Sequence, residues 1–102
     1  MTYKVEVFER KENKTWFVMT LEEAARRLAE VWARHDAPGH YIIAEGPGVW
    51  FCKKCSAVIR VHIQGYYPWM LRPITKRQHD NLIRKIARIR RDEHKEVEHE
   101  AA

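Results

Sequence analysis

The sequence predicts an α+β fold, with a small antiparallel sheet or sheets and two amphipathic helices. Short segments of alternating apolar and polar residues predict strands, and two longer segments with helical apolar spacing predict the helices. The chain has 102 residues, which is enough for one domain. We expect a single domain over residues 1–92 and a charged, frayed C-terminal tail over 93–102. The order ββα could occur twice, in halves 1–39 and 40–92.

The first half is predicted from an alternating pattern and a helix start. Residues 3–7 and 15–19 flank the polar segment 10–14, which is typical of a hairpin. Thr20 and Glu23 have the spacing of a capping box, in which each side chain satisfies a backbone N–H of the first turn. The apolar residues that follow share one helical face: Leu21, Ala24, Ala25, Leu28, Val31 and Trp32. Residues 36–39 end this helix.

The second half begins with strands. Residues 40–44, 49–52 and 57–64 are predicted strands, 46–48 a turn, and 65–73 an ordered loop with a short edge strand. The second helix is expected from an N-cap at Thr75 to about Asp92. Its apolar stripe consists of Leu82, Ile83, Ile86 and Ile89, and His79 extends that stripe towards the helix start.

Charge and composition limit the location and the partners. No apolar segment reaches the roughly 18 residues of a membrane span, and the N-terminus has no apolar signal region. We therefore expect a cytoplasmic protein with no membrane partner. The net charge of +5 is uneven, because residues 72–91 hold eight basic residues against Asp80, whereas residues 92–102 hold five acidic residues against Lys95. A basic segment followed by an acidic tail indicates a surface for a polyanion.

Cys52 and Cys55 form a Cys-x-x-Cys pair between two predicted strands. A structural disulfide is disfavoured inside cells, and a redox pair normally lies at a helix N-terminus. A tight turn between strands instead places both sulfurs on one edge of a tetrahedral metal site, and Lys53 and Lys54 favour the thiolate form. The pair therefore predicts a structural zinc site. The alternative is that both cysteines are small apolar residues of the core.

Over about eight residues this segment resembles half of a zinc ribbon or treble clef. The resemblance implies that the first turn of a following helix supplies ligands, which favours His79. The fourth ligand is expected from His62, His40, Asp80 or a second chain.

The second helix carries a basic face opposite its apolar stripe. Arg77, Arg84, Arg88 and Arg91 span roughly 20 Å at 1.5 Å per residue, and Lys85 lies beside them. Such spacing suits successive phosphates. Lys53, Lys54 and Arg60 would add phosphate contacts, and Tyr66, Tyr67 and Trp69 would stack on unpaired bases. We therefore expect a non-enzymatic nucleic-acid-binding module. The alternative for the basic face is solvation and pairing with the acidic tail.

Two other functions fit the same sequence. Tyr66, Tyr67 and Trp69 could instead form an anchor patch for an acidic protein, as in a regulator or adaptor of a phage or mobile element, and the chain could form a homodimer. Separately, His62 followed by His79 and Asp80 is similar to the pattern of the ββα-metal nucleases. That resemblance implies a general-base histidine on a strand and metal ligands on the following helix.

Overall fold

The computed structural model describes residues 2–35, 39–64 and 71–101. Within them it has a small antiparallel sheet and two helices, which confirms the predicted α+β class. The elements are β1 (Thr2–Glu9), β2 (Glu12–Val18), α1 (Leu21–Arg34), β3 (Ile42–Gly46), β4 (Val49–Cys52), β5 (Val58–Gln64), β6 (Leu71–Pro73) and α2 (Lys76–Ala101).

All six strands belong to one sheet, in the order β2-β1-β5-β4-β3. The β6 strand pairs with the end of β5 that β4 leaves free, through Ile63 opposite Arg72. The long pairing of β1 with β5, centred on Val5 opposite Val61, joins the first and second halves of the chain. The halves therefore share one sheet, and the second half contributes four strands where a repeated ββα order would have two.

One face of the sheet packs against both helices. Val5, Val7, Ile59, Val61 and Trp50 are buried on this face. The helices contribute a second set of buried side chains: Ala24, Ala25, Leu28, Ala29 and Val31 from α1, and Leu82, Ile86 and Ile89 from α2. These residues form a single core cluster. The alternating strand pattern and the helical spacing thus meet at one apolar layer.

Both helices begin with a side-chain cap. The Glu23 backbone N–H donates to Thr20 Oγ1 at 3.1 Å, and Glu23 Oε2 accepts from the Met19 N–H at 3.0 Å. In α2 the Gln78 N–H donates to Thr75 Oγ1 at 3.2 Å, and Gln78 Oε1 accepts from the Thr75 N–H at 3.0 Å. Both N-cap predictions are confirmed, and the second cap is also a reciprocal capping box, which was not predicted.

The second helix differs from the expectation in two ways. It continues to Ala101 rather than ending near Asp92, since residues 92–101 contain neither glycine nor proline to stop it. Ile83, expected in the apolar stripe, is 37% exposed, because it lies about 100° around the helix from Leu82. Neither helix of the described chain is long and apolar enough to cross a membrane.

Candidate metal centre

The two cysteines lie at the tight turn that joins β4 to β5. Cys52 is the last residue of β4 and is buried, whereas Cys55 is exposed. The Cys52 N–H donates to the Ala57 carbonyl, and the Ser56 N–H donates to the Cys52 carbonyl, both at 2.9 Å. Ser56 adopts a positive φ of 60° to close the turn. This backbone arrangement is the strand-flanked turn expected from the sequence.

Two histidines approach the turn from the connection between α1 and β3. His35 caps the C-terminus of α1, where its N–H donates to the Trp32 carbonyl at 2.9 Å. His40 lies two residues before β3. The start of β3 is held beside the turn because the Lys53 N–H donates to the Tyr41 carbonyl at 2.9 Å.

The four side chains offer donor atoms that all lie within 4.8 Å of one another. His35 Nδ1 is 3.3 Å from Cys55 Sγ, and His40 Nδ1 is 3.5 Å from Cys52 Sγ. Two thiolates and two imidazoles that converge in this way can hold a metal ion with tetrahedral coordination. We call these four residues the Cys2His2 cluster.

An ion pair between β1 and the end of α1 fixes the orientation of one of these histidines. Glu9 Oε2 lies 2.7 Å from His35 Nε2. Arg34 also binds Glu9, through Nη2 to Oε1 at 2.6 Å and Nε to Oε2 at 3.2 Å. Burial raises the pKa of Glu9, but the hydrogen bonds from Arg34 and His35 outweigh this effect and lower that pKa below its ordinary value. The ionised carboxylate accepts the Nε2 proton of His35, which leaves Nδ1 free to bind a metal.

The turn also changes the acidity of the thiols. Burial raises the pKa of Cys52, but the N–H groups of Cys55 and Lys54 and the ring of His40 together outweigh it, so that this pKa falls to about 6. The pKa of Cys55 rises, because its sulfur is desolvated and lies beside that of Cys52. One thiolate therefore forms readily near neutral pH, and a bound cation would stabilise the second.

The histidines favoured from the sequence lie elsewhere. His62 pairs with Lys4 across β5 and β1 on the sheet face away from the helices, and its Nε2 is 3.9 Å from Glu6 Oε2. Burial lowers the pKa of His62. His79 stacks on Trp50 with ring centroids 5.0 Å apart, inside the layer between sheet and helices. Of the described residues, only the Cys2His2 cluster forms a close group of three or more potential ligands, so His35 and His40, rather than His62 and His79, lie beside the two cysteines.

The placement of these histidines also bears on the resemblance to ββα-metal nucleases. His62 and His79 lie on opposite sides of the sheet. His62 pairs with Lys4 on the face away from the helices, whereas His79 stacks on Trp50, which is buried on the face that the helices cover. Asp80 is paired with His79 Nδ1 at 3.5 Å. The two histidines of the proposed pattern therefore do not face a common substrate.

His35 was missed from the sequence, whereas His40 was one of the alternatives for a fourth ligand. The signal that could have identified His35 is its position at the end of the first helix, five residues before His40 and ahead of the Cys-x-x-Cys pair. The spacing of apolar residues did not single out His35, because a histidine near a helix C-terminus commonly interacts only with the helix dipole.

The basic residues are distributed over three surfaces. On α2, Arg77, Arg84, Arg88 and Arg91 are exposed and Lys85 is half-buried. Lys53 and Lys54 are exposed at the turn between β4 and β5, and Arg60 is exposed on the sheet face opposite the helices. The aromatic residues Tyr66, Tyr67 and Trp69 lie outside the described residues.

The fold and the cluster define a small α+β protein with a candidate Cys2His2 metal centre. Comparison with protein-family models, with curated proteins and with solved structures found no match for this chain.

Proposed function

We propose that this protein is a small, non-enzymatic binding module, in which zinc stabilises the fold and the arginine face of α2 binds nucleic acid. The observation that carries the zinc half of the proposal is the convergence of four Cys and His donor atoms within 4.8 Å. The arginine face of α2, which consists of the exposed Arg77, Arg84, Arg88 and Arg91, supports the proposed binding of nucleic acid.

Zinc is the metal that suits this ligand set best. Two thiolates and two imidazoles match its preference for four-coordinate tetrahedral sites with sulfur and nitrogen ligands. Magnesium and calcium prefer oxygen ligands, and the Cys2His2 cluster offers none. Four protein ligands also leave no position for a substrate, which is typical of structural rather than catalytic zinc.

A structural role follows from what the cluster connects. His35 belongs to the end of α1, His40 precedes β3, and the cysteines belong to the turn between β4 and β5. A metal ion at this point would link a helix to the outer part of the sheet, where β3 pairs only with β4 among the described strands. Since a small domain has a modest core, such a link would contribute a large share of the folding free energy.

The nucleic-acid half of the proposal depends on unpaired arginines. Among the described residues, Arg77, Arg84, Arg88 and Arg91 take part in no salt bridge. These side chains lie on the side of α2 opposite the buried Leu82, Ile86 and Ile89. An exposed row of guanidinium groups that forms no salt bridge with the described side chains favours phosphate binding, and such binding weakens as the salt concentration rises.

A shallow groove at the start of α2 adds hydrogen-bonding groups to this surface. It is lined by Lys76, Arg77, Asp80, Asn81 and Arg84. The amide of Asn81 can donate to a phosphate oxygen between the two arginines. The expected partner is therefore a nucleic-acid backbone, with the helix lying along it.

The two halves are tested separately. For the arginine face, we compare the Arg84/Arg88/Arg91→Gln variant with a Lys11/Lys14/Arg26→Gln variant, which loses the same charge from exposed positions on the β1–β2 hairpin and α1. Electrophoretic mobility shift with mixed-sequence DNA and RNA at low salt should show binding by wild type and by the Lys11/Lys14/Arg26→Gln control, and loss of binding in the α2 variant. Equal losses of nucleic-acid binding in both variants would show that binding depends only on net charge. That result would reject the arginine face as the binding surface.

A further inference from the structure

The sheet face turned away from the helices carries an apolar row that crosses four strands. Phe8 of β1 lies opposite Asn13 on one side and Val58 on the other. The row continues from Val58 to Phe51 of β4 and from Phe51 to Ile43 of β3. Directly opposed residues point to the same face of a sheet. Phe8 and Ile43 remain 45% and 44% exposed, so this row is accessible to a ligand.

A depression lies in this row beside Phe8 of β1. It has a volume of about 240 Å³ and is lined by Glu6, Phe8, Asn13, Val58 and Arg60. Glu6 and Arg60 are themselves cross-strand partners, one row along from Phe8 and Val58. The depression therefore combines two apolar side chains with a carboxylate, a guanidinium and an amide. A flat heteroaromatic ring with donors and acceptors on its edge fits this chemistry.

The polar groups around the depression still have hydrogen-bonding capacity. Glu6 Oε1 accepts from Lys4 Nζ at 2.6 Å, whereas the contact of Glu6 Oε2 is His62 Nε2 at 3.9 Å, beyond hydrogen-bonding distance. Arg60 is exposed, and its guanidinium forms no salt bridge within the described part of the chain. One carboxylate oxygen and a forked donor group thus face the same space.

We propose that this depression binds one unpaired nucleobase of a single strand, and that it prefers guanine to adenine. This proposal rests on the proposed nucleic-acid function and adds a second contact surface to it. Guanine presents two neighbouring N–H groups that can donate to a carboxylate, and its O6 and N7 accept from an arginine. Adenine lacks that pair of donors. Phe8 supplies the apolar surface on which a base stacks.

The site is separate from the arginine face of α2. The helices cover the opposite face of the sheet, so a base at Phe8 cannot touch Arg84 or Arg88 at the same time. A single strand would meet the open sheet face alone, or pass around an edge of the sheet to reach α2. The two surfaces can therefore be removed independently.

The test measures binding of labelled uridine nonamers by fluorescence anisotropy at low salt. Three nonamers are compared: all-uridine, one central adenine and one central guanine. Wild type should bind the guanine nonamer most tightly, and Phe8→Ala should weaken that binding by about 5- to 150-fold, the usual range for loss of one stacked base. Phe17→Ala is the matched control, because Phe17 is 62% exposed on the same sheet face but lies outside the depression. Its binding should equal that of wild type.

Glu6→Gln tests the base preference rather than the affinity. This variant should bind the guanine and adenine nonamers equally, with all-uridine binding unchanged. Thermal melting confirms that each variant is folded. Equal binding of all three nonamers by wild type, or equal binding by Phe8→Ala and Phe17→Ala, would overturn the nucleobase site.

The α2 variant distinguishes this proposal from the one on which it rests. Loss of binding in Arg84/Arg88/Arg91→Gln with no effect of Phe8→Ala overturns the nucleobase site and supports the arginine face. The reverse pattern supports the nucleobase site and rejects the arginine face. Absence of any DNA or RNA binding by wild type overturns both.

Discussion

His35 Nε2 lies 2.7 Å from Glu9 Oε2, so a carboxylate on the first strand sets the orientation of a histidine at the end of the first helix. The opposite ring nitrogen, Nδ1, faces Cys55 Sγ at 3.3 Å. Carboxylate–histidine pairs of this kind are usual behind metal ligands, where they fix both the ring and its tautomer. The relationship explains why a glutamate distant in sequence belongs to the candidate metal centre.

Replacing this carboxylate should weaken metal binding without removing a ligand. We expect Glu9→Gln to lower zinc affinity by about 10- to 100-fold, the usual effect of losing such a supporting group. Competition with a chromophoric chelator measures the change. Glu12→Gln is the control, since Glu12 is exposed on β2 and should leave the affinity unchanged. Wild-type affinity in Glu9→Gln would show that Glu9 does not support the site.

Metal binding should release thiol protons in a pH-dependent way. The pKa of Cys52 is about 6, lowered against the effect of burial by turn N–H groups and His40, and the pKa of Cys55 is raised by burial and by Cys52. Above about pH 7 the cysteines should release about one proton per metal ion, and below pH 6 about two, so affinity falls as pH falls.

Calorimetric titration of the metal-free protein with zinc, in two buffers of different protonation enthalpy, counts these protons. With the pKa of Cys52 at about 6, the cysteines should release roughly 0.7 more protons per metal ion near pH 5.5 than near pH 7.5. A proton count that stays constant across this range would contradict the lowered pKa of Cys52, and release of no proton at pH 7.5 would contradict the assignment of Cys52 and Cys55 as ligands.

Removal of the metal should destabilise the fold. Because the cluster links α1, β3 and the turn between β4 and β5, we expect chelation by EDTA to lower the melting temperature substantially. Cys55→Ser should melt at the temperature of the chelated wild type and respond little to EDTA. Ser56→Ala, a neighbouring exposed change, should behave like wild type. An EDTA-treated wild type that melts unchanged would show that the cluster adds no stability.

A backbone prediction is independent of the metal. Gly48 has a φ of +73°, and a Cβ atom there would lie 2.8 Å from the Val61 carbonyl oxygen and 2.9 Å from Ile74 Cγ1. Gly48→Ala should therefore lower the free energy of unfolding by about 2–5 kcal/mol, from left-handed strain and overpacking together. Gly46→Ala is the control, because no atom lies within 4 Å of its added Cβ.

Urea denaturation compares the two glycine variants. Gly46→Ala should change the free energy of unfolding by no more than about 0.5 kcal/mol. Similar losses of unfolding free energy in both variants would mean that the close approach of Gly48 to β5 does not determine the cost of adding a side chain there.

The sequence predicted those parts of the structure that depend on local patterns. Alternation of apolar and polar residues predicted strands at β1 and β5, and the spacing of Thr20 and Glu23 located the start of α1. Cys52 and Cys55 were identified because their spacing itself describes a tight turn.

The remaining ligands depend on tertiary structure. His79 was favoured because it faces inward from the first turn of α2, but the same position suits a ring that stacks on Trp50. His35 joins the cysteines only because α1 packs across the sheet and β1 brings Glu9 to its end. Helical periodicity reports which face is buried and not which buried group it meets, so these partners could not be predicted from the sequence.

We propose that Cys52, Cys55, His35 and His40 together bind one zinc ion. Native mass spectrometry of the protein and of four single histidine variants tests it most directly. We expect one zinc ion per chain in wild type, His62→Ala and His79→Ala, and loss of that ion in His35→Ala and His40→Ala. A metal-free wild type, or zinc that persists without His35 and His40 but is lost without His79, would contradict it.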